Sequence, residues 1–152
     1  MVTIMNERYE SLKLNNQLCF PLYSVANKII RSYTPLLEDL DLTYTQYIAM
    51  MVLWEKEDIN EKELGDTLFL KSNTLTPLLK KLEAKGYVRK TKNDQDGRSI
   101  MICLTDKGRK LKDKAIDIPE MISKKVNLSP DEAVDLYRLL YKMMDEKCDE
   151  QL

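Results

Sequence analysis

Apolar residues along this chain recur mostly at spacings of three and four, which predicts helices. Leu22, Val25, Ala26, Ile29, Ile30, Tyr33, Leu36 and Leu37 form the first such stripe. Pro21 suits the first turn of that helix and not its interior, because proline lacks an amide proton and crowds the preceding turn. Cys19 is therefore expected at or near the helix N-terminus. The stripe is long and strongly apolar for a helix opening a small domain, so a partner helix is expected to cover it. A second helix is predicted over residues 45–56, carrying Tyr47, Ile48, Met51, Val52 and Trp54. Two short helical stretches follow. The first covers residues 60–69, with Asn60 as a cap and Leu64 and Leu68 inward. The second begins at Ser72 and Asn73 and carries Leu75, Leu78, Leu79 and Leu82 until Gly86 stops it.

The period then changes. Residues 87–91 and 99–104 read as strands, with the polar hairpin tip Lys92-Asn93-Asp94-Gln95-Asp96-Gly97-Arg98 between them. Thr105 is placed to cap a helix from Asp106, and Pro119 interrupts the helical segment that follows. Ser129-Pro130-Asp131-Glu132 opens a last helix with a cap, a first-turn proline and acids matched to the helix dipole. Ala133, Leu136, Tyr137, Leu140 and Met144 line one of its faces. The expected fold is mainly α with a small β-hairpin wing: a winged helix-turn-helix with N- and C-terminal dimerisation helices. As one domain over residues 1–152, it assigns 45–104 to the winged region and 12–40 and 106–148 to dimerisation.

Composition narrows the chemistry. At 152 residues the chain is about one domain in length and can bury a core. There is no histidine, which removes imidazole-based triads, common zinc sites and imidazole acid-base catalysis. No enzyme activity, metal or cofactor is expected. The three cysteines, Cys19, Cys103 and Cys148, are odd in number and widely spaced, which is not a disulfide framework. No apolar run approaches the ~20 residues of a membrane span, and the N-terminus lacks the apolar middle of a signal peptide. A cytoplasmic protein without membrane contact is expected.

Net charge is −1, but its distribution is uneven. Residues 71–98 hold eight bases against three acids, whereas residues 129–152 hold seven acids against three bases. One segment suits phosphates and the other avoids them. In a helix-turn-helix the second helix enters the major groove with its N-terminal residues at base edges. That directs Lys71, Ser72, Asn73, Thr74 and Thr76 toward double-stranded DNA, with Lys80 and Lys81 on the flank near the backbone. Ser72, Asn73 and Thr74 also fit a plain N-cap cluster, and both roles remain open. Arg98 at the wing tip suits a narrow minor groove. Asp96 fits beside it if it orients Arg98, or the two form an ordinary surface pair.

The stretches Gly86-Tyr87-Val88-Arg89, Asp96-Gly97-Arg98-Ser99 and Cys103-Leu104-Thr105-Asp106-Lys107-Gly108 resemble the wing and following helix of MarR-family repressors. Asn16-Gln17-Leu18-Cys19-Phe20, Leu42-Thr43-Tyr44-Thr45-Gln46-Tyr47 and residues 73–83 resemble the organic-hydroperoxide-resistance (OhrR) branch. The likeness runs from about Leu14 to Glu146. It implies a two-fold homodimer on an inverted-repeat operator, with Asp96 and Arg98 as the wing pair. It also implies Cys19 as the redox-sensing thiol, supported across the dimer by Tyr33 and Tyr44, with Tyr23 near the same pocket. Organic hydroperoxide would oxidise Cys19, a low-molecular-weight thiol would resolve it, and the operator would be released.

Two departures stand out. Pro21 follows Cys19 where the branch has an ordinary apolar residue, and Cys148 does not match a resolving cysteine. The one-cysteine type is the expectation, with Cys103 structural. From the residues alone, a lone cysteine beside Leu18 and Phe20 is more often a small buried apolar side chain, and it is the resemblance that favours a reactive thiol. A helix N-terminus favours a thiolate, and phenolic donors stabilise an anion they bond. Three alternatives accompany this expectation: a MarR-type repressor released by a small aromatic ligand, a thiol peroxidase, and a helical interaction protein without DNA.

Overall fold

The computed structural model describes residues 9–92 and 99–145. Two short 3-10 turns, Glu10–Leu12 and Leu14–Asn16, lead into helix α1, Cys19–Leu37. A 3-10 turn, Glu38–Leu40, connects to α2, Tyr44–Lys56. Strand β1, Asp58–Asn60, runs directly into α3, Glu61–Leu68, and then α4, Ser72–Ala84. Strands β2, Val88–Lys92, and β3, Ile100–Leu104, precede α5, Asp106–Ala115, α6, Ile118–Ser123, and α7, Pro130–Asp145.

Local chemistry sets most of these boundaries. Thr43 and Gln46 form a reciprocal capping box, with Thr43 N–H donating to Gln46 Oε1 at 3.1 Å and Gln46 N–H to Thr43 Oγ1 at 3.3 Å. That box starts α2 one residue before the predicted position. Asn60 accepts from Lys62 N–H at 2.8 Å, and Thr105 accepts from Gly108 N–H at 3.0 Å. Ser129 and Glu132 exchange bonds in the same reciprocal way at the start of α7. Gly86, at φ +74°, follows α4 in the left-handed conformation that closes a helix.

The sheet departs from the two-strand expectation. It has three antiparallel strands in the order β1-β3-β2, with Ile59 opposite Ile102 and Val88 opposite Leu104. Strand β1 has three residues and one buried apolar side chain, too short for an alternating pattern to register.

The core lies mostly inside the winged region and extends to Leu111 and Ala115 of α5 and Ile118 and Ile122 of α6. Met50, Leu53, Ile59, Leu64, Leu79, Leu82, Val88 and Ile102 are fully buried, joined by Leu37 and Leu40 from the end of α1 and its turn. Along α1 only Leu37 is buried, and every described side chain of α7 is exposed. On a single chain α7 is thus open, and so is the first half of α1, while Ile29, Tyr33 and Leu36 pack against the core.

Candidate nucleic-acid interface and thiol site

Helix α4 presents two unlike faces. Leu75, Leu78, Leu79 and Leu82 are buried, while Lys71, Ser72, Asn73, Thr74, Lys80 and Lys81 are exposed. Lys71 occupies the N-cap position, and no side chain caps the helix. Ser72, Asn73 and Thr74 therefore do not act as caps. Their only described side-chain bond to each other runs from Thr74 Oγ1 to Asn73 Oδ1 at 3.4 Å. Thr76 differs from its neighbours: it is half-buried, and its hydroxyl donates to Glu61 Oε1 at 3.4 Å. The wing strands reach Lys92 opposite Ile100. Asp96 and Arg98, predicted at the tip, lie outside the described residues, as does Cys148.

Two residues on this side were not singled out from the sequence. Lys62, near the start of α3, and Phe69, in the turn between α3 and α4, line an open groove of about 730 Å³ with Glu61, Asp66, Lys71 and Ser72. Phe69 is 69% exposed and takes a left-handed conformation at φ +54°. Periodicity offers no signal for an outward phenylalanine in a turn. Lys62 was legible in principle as a base in the first turn of the helix preceding α4.

Cys19 is the first residue of α1 and is exposed, with Leu18 before it offering no side-chain cap. Tyr23 follows one turn later on the same side and is exposed as well. Tyr33 lies fourteen positions along the helix, roughly 21 Å at 1.5 Å per residue. Its ring packs 4.9 Å from Tyr44 and 5.7 Å from Tyr47, and Tyr47 lies 6.1 Å from Trp54. Burial, with the Tyr44 and Tyr47 phenols alongside, pushes the Tyr33 phenol up, so at neutral pH it remains an O–H donor. One chain therefore brings Tyr23 near Cys19 and keeps Tyr33 far from it. Cys103 is half-buried in β3, with its Sγ 3.7 Å from Thr91 Oγ1.

An apolar groove of about 690 Å³ runs between α1 and α7. Leu18, Leu22, Val25, Ile29, Tyr44 and Leu136 are among its lining residues. In its lining, Leu18 is 70% exposed.

Residues 31–115 match the family model described as the transcriptional regulator SarA/Rot. The organic hydroperoxide resistance transcriptional regulator of Bacillus subtilis is 41% identical over 144 residues, covering 93% of this chain and 96% of the relative. The chain belongs to the SarA/Rot and MarR family of winged-helix transcriptional regulators. Reduced AbfR bound to DNA superposes with a TM-score of 0.74 at 34% identity, covering 91% of this chain and 96% of that one. AbfR has also been solved overoxidised on DNA and in a disulfide form. A MarR mutant from E. coli complexed with operator DNA superposes at 0.77 with 26% identity, covering 83% and 92%. The MarR resemblance read from the wing motif is thus upheld, and the protein is a DNA-binding regulator, not an enzyme. No described helix is long and apolar enough to cross a membrane.

In this MarR-type chain the end of α1 is fastened to the end of α4. Lys85 Nζ donates to the Asp41 carbonyl, lies 3.1 Å from Asp41 Oδ1 and donates to Gln46 Oε1 at 3.3 Å. The buried Tyr87 hydroxyl donates to the Leu40 carbonyl at 3.0 Å. Burial, with Asp41 nearby, pushes the Tyr87 phenol up and keeps it a donor. Lys107 closes the joint by donating to the Lys85 carbonyl at 2.8 Å with its ammonium 4.9 Å from the Tyr87 ring centre. These contacts tie the turn that follows α1, and Gln46 of α2, to the residues that follow α4.

Proposed function

We propose that this regulator is a homodimeric repressor that senses organic hydroperoxides through Cys19 and releases an inverted-repeat operator when that thiol is oxidised. The observation that carries the proposal is the exposed Cys19 at the head of α1, on a helix whose apolar stripe is left uncovered by its own chain. A second copy covers α1 and α7 and brings its Tyr33 and Tyr44 phenols to the thiol, which neither chain achieves alone. Solved relatives in reduced, overoxidised and disulfide-formed states favour a redox trigger.

The chemistry follows from the thiolate. Its sulfur attacks the terminal oxygen of the hydroperoxide, the O–O bond breaks, and the alkoxide departs, taking up a proton to become the alcohol. Cys19 keeps the hydroxyl as a sulfenic acid. A low-molecular-weight thiol then attacks that sulfur, the hydroxyl leaves as water, and a mixed disulfide remains. The added group has to be housed where α1 and α7 meet their partner, and packed interfaces answer by switching arrangement rather than stretching. Through the Lys85 and Tyr87 joint, the winged regions turn and the two half-sites lose register. On the DNA side, Lys71, Ser72, Asn73 and Thr74 meet bases and phosphates, Thr76 stands at the edge of that face, Lys80 and Lys81 flank the backbone, and Arg98, oriented by Asp96, enters the minor groove.

Intact mass after one equivalent of cumene hydroperoxide tests the trigger. Without thiol the protein should gain one oxygen; with a small thiol it should gain that thiol less two hydrogens, with the adduct on the Cys19 peptide. An unmodified Cys19 in protein that has nonetheless released DNA would overturn the mechanism. A second reading, release by a small aromatic ligand, draws on a groove of about 340 Å³ lined by Tyr47, Met51, Trp54 and Lys112. That reading predicts release without any change in mass.

A further inference from the structure

The DNA-facing elements share one half-buried carboxylate. Glu61 opens α3, directly after the Asn60 cap. Its oxygens lie 3.3 and 3.4 Å from Lys90 Nζ in β2, and Oε1 also accepts from Thr76 Oγ1 of α4 at 3.4 Å. Lys90 stands opposite the buried Ile102, on the same face of β2 as the buried Val88, so its stem crosses core-facing ground before the ammonium emerges at Glu61. Its backbone N–H is held by Glu83 Oε1 of α4 at 3.3 Å. Lys90 and Glu61 are 21% and 19% exposed, and no other described ion pair has both partners so covered. Glu61 also borders the groove that contains Lys62, Lys71 and Ser72. An acid there repels phosphate unless it has another task.

We infer that Glu61 is a positioning residue for operator binding: by holding Lys90 and Thr76 together it fixes the angle between the wing and α4. The wing and α4 must enter neighbouring grooves at once, so a change in their angle weakens sequence-specific contact and leaves non-specific attraction in place. This inference rests on the assignment of α4 and the wing to DNA and is independent of Cys19 chemistry. It reverses the sign that simple electrostatics gives, because removing a negative charge near phosphates ordinarily tightens binding.

The test uses the full chain, the palindromic duplex that the wild type selects from a random-sequence pool, and a scrambled duplex of equal length. Glu61→Gln should bind the selected duplex about five- to tenfold more weakly and the scrambled duplex as tightly as wild type or tighter. Lys90→Met should show the same specific loss with an unchanged salt slope, because Lys90 is committed to Glu61 and not to a phosphate. The double variant should be no worse than the weaker single. Thermal unfolding of each variant checks the fold. If Glu61→Gln does not fold, the double variant carries the test, because replacing both members of a covered ion pair is often tolerated while removing one partner leaves a charge unpaired. Unchanged binding of the selected duplex by the double variant would then overturn the inference. Unchanged or tighter binding of the selected duplex by Glu61→Gln would overturn the inference. So would a salt slope shallower by about one unit in Lys90→Met, which marks a phosphate contact. A wild type that selects no sequence would instead strike the DNA assignment itself.

Discussion

Gly108 lies in the first turn of α5 beneath the Tyr87 carbonyl, and its own carbonyl accepts the Trp54 indole N–H at 2.9 Å. A Cβ at this position would overlap the Tyr87 carbonyl oxygen and press within 3.2 Å of Leu104 Cδ2. Backbone cannot yield as a side-chain tip does. Gly108→Ala should therefore cost more than about 2 kcal/mol, measured as a lower urea midpoint with unchanged slope. Nothing in periodicity marks Gly108; it was visible only through the Leu104-Thr105-Asp106-Lys107-Gly108 motif. Cys19 is a similar case. Its place at the helix head was legible from Pro21, but an exposed thiol and a buried one look the same in sequence. The tyrosines separate by reach. Tyr33→Phe and Tyr44→Phe remove donors that favour the anion and should slow peroxide-dependent loss of the Cys19 thiol severalfold while leaving DNA affinity of the reduced protein unchanged. Equal rates in wild type and both variants would remove the tyrosines from the site.

At the level of elements, helices were the readable part, because α1, α2 and α4 each carry a long apolar stripe that survives any choice of boundary. Boundaries moved by a residue where a cap decided them, as Thr43 did for α2. Strand β1 was hidden because Asp58, Ile59 and Asn60 acquire strand character only from pairing with Cys103, Ile102 and Met101. The ambiguity over Ser72, Asn73 and Thr74 was also beyond sequence, because either a cap or an outward polar edge uses the same residues. The uncapped start of α4 leaves those side chains to the outer face. Lys80, exposed on that helix, should behave as a phosphate contact. Lys80→Ala should weaken binding to the selected and scrambled duplexes alike and make the salt slope shallower by about one unit. An unchanged slope would take Lys80 off the backbone.

On the scale of the whole molecule, the long apolar stripe of the first helix predicted a partner, and a single chain leaves the first half of α1 and the whole of α7 exposed. Leu18, Tyr23, Val134 and Tyr137 are all more than half exposed, and clustered exposed apolar residues of this kind mark an interaction surface. Sedimentation at micromolar concentration should find a dimer; a stable monomer would contradict the paired site. How two chains meet is not written in the periodicity of one, so the distance between Cys19 and Tyr33 within a chain became meaningful only once the helix was seen at full length. Oxidation of Cys19, passed along α1 to α4, is the step we propose to release DNA. Its most direct test is a gel-shift titration of wild type and Cys19→Ser with cumene hydroperoxide in the presence of a small thiol. The serine hydroxyl stays protonated and forms no sulfenic acid, so Cys19→Ser should bind the selected duplex as wild type does and stay bound throughout the titration. Release of Cys19→Ser at the peroxide concentrations that release wild type would contradict the account.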